Sequence, residues 1–232
     1  MTAHQTTCER TSVTIDLTTA HWDVVQDVHD SGEKLGLPGD TLDLTAVGAQ
    51  LSEWEALDRL EHLQIAFTDS PYAGRELRSF NAAPWWYRVT FPLDPNTSGR
   101  SRVEFSNVDY FCRVWLNGKL LGEHEGYSEP FSFDITDALR DGNQVLMVKV
   151  WSPWDTDVLN DFNAVRTTQV VRDMAKGTYE HDDTLVPRDV NPVGIFGTVR
   201  VHPGDSPYVV GPPRVRTTLG EGVGPISLPA PA

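Results

Sequence analysis

The stretch Asn107–Val150, NVDYFCRVWLNGKLLGEHEGYSEPFSFDITDALRDGNQVLMVKV, contains the clearest strand and turn signals of the chain. Its first part is a β-favouring run that ends at Asn117-Gly118, a dipeptide typical of tight β-hairpins because both central turn residues adopt positive φ. After the turn the chain returns through Lys119, and further on Val145–Val150 alternates its faces. These patterns predict antiparallel strands packed as a β-sandwich.

For the whole domain we expect at least eight strands in two antiparallel sheets. The shared core is predicted to include Trp115, Leu116, Phe133, Val148 and Val150. Gly194–Val201 is predicted to be the last core strand.

Two short helical segments complete the expected fold. Ser52–Leu63 has a helical period, with Trp54, Leu57, Leu60 and Leu63 on one face and a capping box between Ser52 and Glu55. Asp137–Arg140 reads as a single helical turn capped by Asp134 or Thr136.

Composition and charge limit the binding partners and the cellular compartment that we expect. The chain has 232 residues and a net charge of −14, which argues against nucleic-acid and anionic-membrane partners because both select basic surfaces. No apolar run is long enough to span a membrane, and the N-terminus lacks a secretory signal pattern, so we expect a cytoplasmic protein. In that reducing compartment Cys8 and Cys112 are predicted to be free thiols.

The chain divides into three parts. Residues 1–11 form a polar flexible tail, residues 12–204 form the sandwich, and residues 205–232 form a Pro/Gly-rich linker and a flexible tail. A long connection, Ser152–Asn191, links two strands of the sandwich domain and includes a predicted helical part within Val158–Met174. Such a long connection in a compact domain favours a functional role.

Several motifs resemble, in order, the N-terminal sugar-binding domain of glycoside hydrolase family 2. They are WYRVTF (Trp86–Phe91), VWLNGKLLGEHEGY (Val114–Tyr127), PFSFDIT (Pro130–Thr136) and NPVGIFGTVRV (Asn191–Val201). Ser52–Glu76 is similar to the lead-in of the β-mannosidase and exo-glucosaminidase branch. The resemblance implies a galactose-binding-like jelly roll.

The resemblance also bears on catalysis. In that family the two catalytic carboxylates belong to a barrel domain, and no motif of this chain resembles the barrel. Arg214–Leu219 resembles the first strand of the domain that follows in the family. We therefore expect no glycosidase activity by the family mechanism unless a second chain supplies the barrel.

Candidate ligand-binding residues fall into three groups. Trp85 and Trp86 begin a strand, so one indole is expected to point inward and one outward, where aromatic faces suit sugar rings. Trp151 and Trp154 offer the same kind of surface. Each pair has an equally simple explanation as core or loop packing.

The second group is the polar cluster Tyr179, Glu180, His181 and Asp182. An imidazole beside carboxylates suits a general acid or base, or hydrogen bonds to vicinal hydroxyls, although a solvated acidic loop also explains it. Its oxygen atoms are of the kind that calcium prefers, but adjacent side chains on an extended segment alternate sides. The sequence therefore predicts no metal and no cofactor, with calcium as the weaker alternative.

The third group is Asp189 and Asn191, which match a segment that contacts the terminal sugar in the mannosidase and glucosaminidase branch. The chain departs from that branch at Val190 and at Phe196-Gly197, and Asn191 before Pro192 also suits a turn.

Three functions remain open from the sequence. The first is a non-catalytic carbohydrate-binding module or accessory subunit with a saccharide or other small-molecule ligand. The second is a stand-alone enzyme on the same fold, with His181, Glu180 and Asp182 as its acid and base groups. The third is a subunit that docks on a protein partner carrying the rest of a glycosidase.

Overall fold

A computed structural model describes residues 13–39, 51, 53–69, 75–96, 98–152 and 192–204. Within these ranges the chain forms twelve strands, one short α-helix and two 3₁₀ segments. The strands are β1 (Ile15–Asp16), β2 (Trp22–Gln26), β3 (Glu55–Leu57), β4 (Trp85–Pro92), β5 (Arg102–Phe105), β6 (Val108–Asp109), β7 (Phe111–Leu116), β8 (Lys119–Glu125), β9 (Phe131–Asp134), β10 (Asn143–Trp151), β11 (Gly194–Ile195) and β12 (Val199–His202). The helix is α1 (Leu63–Phe67), and the 3₁₀ segments are Arg75–Asn81 and Thr136–Ala138.

The strands build a four-stranded sheet, β1-β12-β5-β9, and a six-stranded sheet, β3-β2-β4-β10-β7-β8. Strands β11 and β6 pair separately at one end. All the pairings are antiparallel. The predicted all-β sandwich is confirmed.

The β7–β8 hairpin turns at Asn117-Gly118, as predicted. Both residues have positive φ, 51° and 84°, which is the backbone that this turn type requires. Leu116 pairs with Lys119 across the turn.

The core between the two sheets contains the inward-facing residues of both. Leu116, Val148 and Val150 are fully buried there, and Phe133 packs at its edge. Trp115 was wrongly assigned to this core. Neighbouring residues of a strand point to opposite faces, so Trp115 packs on the outer face of the six-stranded sheet.

The predicted helix over Ser52–Leu63 is also wrong. Glu55–Leu57 is a strand that pairs with β2, and the helix begins only at Leu63. Leu57, Leu60 and Leu63 are nevertheless buried in one core, because a strand, a turn and a helix start bring them to the same side.

Two smaller expectations need correction. The last core strand is interrupted, since Gly194–Ile195 and Val199–His202 pair with different strands. The 3₁₀ turn has no side-chain cap; instead the Asp134 carboxylate accepts hydrogen bonds from the backbone N and the hydroxyl of Thr136. The Thr136 hydroxyl is the main cause of a lowered pKa at Asp134.

Candidate functional site

Ser152 and Pro192, the described residues on either side of the segment 153–191, lie at one end of the sandwich. Strand β10 finishes there, and the Ser152 carbonyl accepts a 2.7 Å hydrogen bond from Asn81 Nδ2. The chain re-enters the described part at Pro192, and Gly194 pairs with Asp109. We call this region the Ser152–Pro192 end.

The re-entering strand is attached to the start of α1. Leu63 N donates to the Val193 carbonyl at 2.9 Å, and Val193 N donates to Gln64 Oε1 at 3.3 Å. Two reciprocal bonds therefore fix the first two residues of the helix against the residue just before β11.

Gly194 makes this attachment sterically feasible. Its φ is +139°, and a Cβ there would lie 2.8 Å from the Tyr87 hydroxyl and 3.1 Å from the Glu61 carbonyl. The phenol of Tyr87 is fully buried, and this burial raises its pKa well above the ordinary value. A glycine is required because backbone and phenol approach so closely.

His62 and Asp109 form a polar pair at the same end. His62 Nε2 is buried and lies 3.7 Å from Asp109 Oδ2, which is too far for a hydrogen bond. The imidazole stacks on Phe196 with ring centroids 4.2 Å apart and an interplanar angle of 25°. The pair lies between a helix start and the β6–β11 ladder, so backbone contacts on both sides hold it.

Aromatic side chains surround the exit of β10. Trp151 stacks on Phe111 with centroids 5.5 Å apart, and Tyr110 contacts both Phe111 and Tyr127. Glu125 Oε1 lies 3.5 Å from the Tyr110 hydroxyl. Such surfaces combine apolar faces with polar edges, as sugar rings require.

A charge network lies next to these rings on the outer face of the six-stranded sheet. The Lys149 ammonium is 2.6 Å from Asp30 and 2.9 Å from Glu33, and Arg113 contacts Glu33 at 3.1 Å. Burial acts to raise the pKa of Glu33, but hydrogen bonds from Lys149 and Arg113 outweigh it and leave the pKa lowered. The network joins the segment after β2 to the sheet, which is a structural role.

The two predicted tryptophans at the start of β4 point to opposite faces, and both are buried. Trp85 is 7% exposed in the core, where Nε1 donates to the Phe80 carbonyl at 2.8 Å. Trp86 is 0% exposed on the outer face, where Nε1 donates to Asp27 Oδ2 at 3.0 Å. The observed contacts of both indoles are therefore packing and hydrogen bonds within the protein.

The other predicted residues are Tyr179, Glu180, His181, Asp182, Asp189 and Asn191, and they lie outside the described residues. The predicted helical part of 158–174 and Cys8 also lie outside them. The segment that holds these site residues starts and ends at the Ser152–Pro192 end.

His62 and Asp109 were not predicted from the sequence. His62 fell inside a stretch read as an amphipathic helix, and the pair is brought together only by the β6–β11 ladder and the α1 attachment. The available signal was Asp109 itself, a carboxylate in the otherwise apolar and aromatic run Val108–Cys112.

Within the described ranges, no three His, Cys, Asp or Glu side chains are grouped so as to hold a metal ion. The same part of the chain has no helix of sufficient length and apolarity to cross a bilayer.

Two antiparallel sheets with these edge connections define a galactose-binding-like β-sandwich. A family model described as "Glycosyl hydrolase 2 galactose-binding domain-like" matches residues 59–175, just over half of the chain, and the chain belongs to that family.

Two curated relatives are similar over shorter stretches. The β-galactosidase of Thermoanaerobacter pseudethanolicus is 39% identical over 59 residues, which are 25% of this chain and 8% of that enzyme. The β-galactosidase large subunit of Leuconostoc lactis is 33% identical over 89 residues, which are 38% of this chain and 14% of that subunit. The chain therefore matches only a small part of either relative.

Among solved structures, the β-glucuronidase of an uncultured Clostridium sp. superposes with a TM-score of 0.57. The alignment covers 90% of this chain and 32% of that enzyme, at 18% identity. At this identity the likeness establishes the fold alone.

Proposed function

We propose that the chain is a non-catalytic carbohydrate-binding module or accessory subunit that binds the terminal sugar of a β-linked saccharide. The family membership over residues 59–175 is the observation that carries this proposal. The aromatic and polar side chains at the Ser152–Pro192 end support it, because they offer apolar faces beside hydrogen-bonding groups.

The binding site is proposed to combine the described rim with the predicted residues Glu180, His181, Asp182, Asp189 and Asn191. A rigid sandwich end holds the two ends of the segment, while the segment supplies polar groups that a core does not tolerate. No cofactor enters this proposal.

Isothermal titration calorimetry of the full chain with methyl β-glycosides tests the proposal. A monosaccharide of about a dozen heavy atoms at about 0.3 kcal/mol per atom corresponds to a Kd of about 1 mM. We expect saturable binding of at least one of the galactoside, glucuronide, mannoside and glucosaminide. The absence of saturable heat for all four at tenfold higher concentration would overturn the proposal.

The sugar that the chain binds best also indicates which branch of the family it resembles. The sequence favours the β-mannosidase and exo-glucosaminidase branch, whereas the two curated relatives are named β-galactosidases. Preference for the mannoside or glucosaminide would support the first assignment, and preference for the galactoside would reject it.

The non-catalytic role has its own test. We expect no hydrolysis of aryl β-galactosides, β-glucuronides or β-mannosides by the purified chain. Turnover that persists after rigorous removal of host glycosidases would contradict this role.

A docking subunit of a split glycosidase is the second candidate. One observation favours it, since the Leuconostoc relative is named as the large subunit of its enzyme. Affinity purification of the tagged full chain from its source cells, followed by mass spectrometry, should then recover a chain that carries a glycosidase barrel. Recovery of the full chain without any such barrel would reject this candidate.

A further inference from the structure

The imidazole of His62 is held on two sides and open on a third. Phe196 covers a face of the ring, and Nε2 is buried 3.7 Å from Asp109 Oδ2. The His62 side chain is 23% exposed, whereas that of Asp109 is 5% exposed. Nε2 is enclosed without a hydrogen-bond partner, whereas Nδ1 is not enclosed in this way, so Nδ1 is the ring nitrogen that a ligand can reach.

The backbone fixes the position of this ring. The His62 carbonyl accepts hydrogen bonds from Ile65 N at 2.9 Å and from Ala66 N at 3.1 Å. The next residue, Leu63, donates to the carbonyl of Val193, which immediately precedes Gly194, the residue of β11 that pairs with Asp109. His62 is therefore attached to the same ladder as the carboxylate that faces it.

The Asp109 carboxylate faces Nε2. In the neutral tautomer that directs its Nε2 proton toward this carboxylate, Nδ1 is a hydrogen-bond acceptor. An acceptor in a fixed direction, beside an aromatic ring, suits the hydroxyl group of a sugar whose C–H face packs on apolar surface.

We propose that His62 anchors the saccharide, with Nδ1 accepting a hydrogen bond from a sugar hydroxyl while Asp109 and Phe196 position the ring. This inference rests on the proposed saccharide-binding function and adds to it a specific contact within the described residues. No bond is made or broken, so His62 is a binding residue.

Substitutions at His62 separate the two nitrogens. In His62→Gln the side-chain amide reaches the position of Nε2 and leaves nothing at Nδ1, whereas in His62→Asn the amide lies near Nδ1 and can still accept a hydrogen bond. We expect His62→Gln to weaken binding roughly tenfold, and His62→Asn to weaken it less, by about threefold. Asp109→Asn should lower affinity indirectly, because it removes the charge that faces Nε2.

His21→Gln is the matched control. His21 is 65% exposed in its side chain and precedes β2, at the opposite end of that strand from the residue that pairs with Trp85. Its substitution should leave the Kd unchanged. Calorimetry with the best-bound methyl β-glycoside supplies the affinities, and thermal unfolding of each variant checks that the fold is kept.

A measurement on the unaltered chain completes the test. Addition of the same glycoside should shift the ¹⁵N resonance of His62 Nδ1 in the NMR spectrum and leave that of His21 unchanged. If the chain binds a glycoside but His62→Gln binds equally well and the Nδ1 resonance does not move, the role of His62 is refuted while the proposed function stands. If the unaltered chain binds no glycoside, the proposed function itself fails and the inference with it.

Discussion

Replacement of Asn117 tests how the hairpin tip is held. Asn117 Nδ2 donates to the Ala138 carbonyl at 2.8 Å and to Gln144 Oε1 at 2.7 Å, and its Oδ1 accepts from Val145 N at 2.8 Å. Asn117→Ala removes these three bonds, at about 1 kcal/mol each, and forces an alanine into a left-handed backbone at about 1 kcal/mol more. The expected loss of unfolding free energy is about 4 kcal/mol.

Asn117→Gly separates the two contributions. Glycine tolerates a φ of 51° but also lacks the side chain, so its loss should be smaller than that of alanine by about 1 kcal/mol. Asn143→Ala is the control, because Asn143 is exposed and its change should stay within about 0.5 kcal/mol. Urea unfolding followed by tryptophan fluorescence measures all three variants. A loss below about 1 kcal/mol for Asn117→Ala would contradict the role of the side-chain hydrogen bonds, and equal losses for alanine and glycine would contradict the role of the left-handed backbone.

Three further predictions concern buried groups. Gly194→Ala should lower the unfolding free energy by about 2 kcal/mol or more in the same urea assay. The added methyl group would collide with the Tyr87 hydroxyl, and the alanine would have to adopt a φ of +139°. Unchanged stability would contradict the close approach. Burial raises the pKa of Cys112 to about 12, so iodoacetamide at pH 8 should label this thiol only after unfolding. Mass spectrometry of the peptide measures the labelling, and rapid labelling of the folded chain would contradict this burial. Burial lowers the pKa of His124, whose ring stacks on Phe131 with centroids 3.9 Å apart. The contribution of neutral His124 to stability is therefore present above the ordinary histidine pKa of about 6.5, and it is lost as the pH falls through the lowered pKa. The thermal midpoint should therefore fall more between pH 7.5 and pH 5 in the native chain than in His124→Phe, and equal falls would show that His124 does not carry the effect.

Local patterns predicted those parts of the fold that depend on neighbouring residues. Asn117-Gly118 was recognisable because its turn requires positive φ at both positions. The period-two pattern also correctly put Trp85 and Trp86 on opposite faces. It did not reveal that the outer face is covered, because Asp27 and Trp115, which cover Trp86, are distant in sequence.

The errors have a common physical cause. A spacing of three residues between Leu57, Leu60 and Leu63 fits a helix, but it is equally satisfied by a strand that docks on β2 and a helix that starts later. Only the pairing with Trp22–Val24 decides between them, and that pairing is a long-range contact. The His62–Asp109 pair was unpredictable for the same reason, since its two residues meet only in the folded chain.

NMR titration of the full chain measures where on the protein the saccharide binds. Backbone amide shifts should be recorded as a methyl β-glycoside is added to saturation. We expect the largest shifts at the Ser152–Pro192 end, at Trp151, at Phe196 and at Asn107, whose carbonyl accepts a hydrogen bond from Phe196 N. We expect none at the hairpin tip around Asn117. Saturable shifts clustered at the tip or on the outer face of the four-stranded sheet would contradict the account.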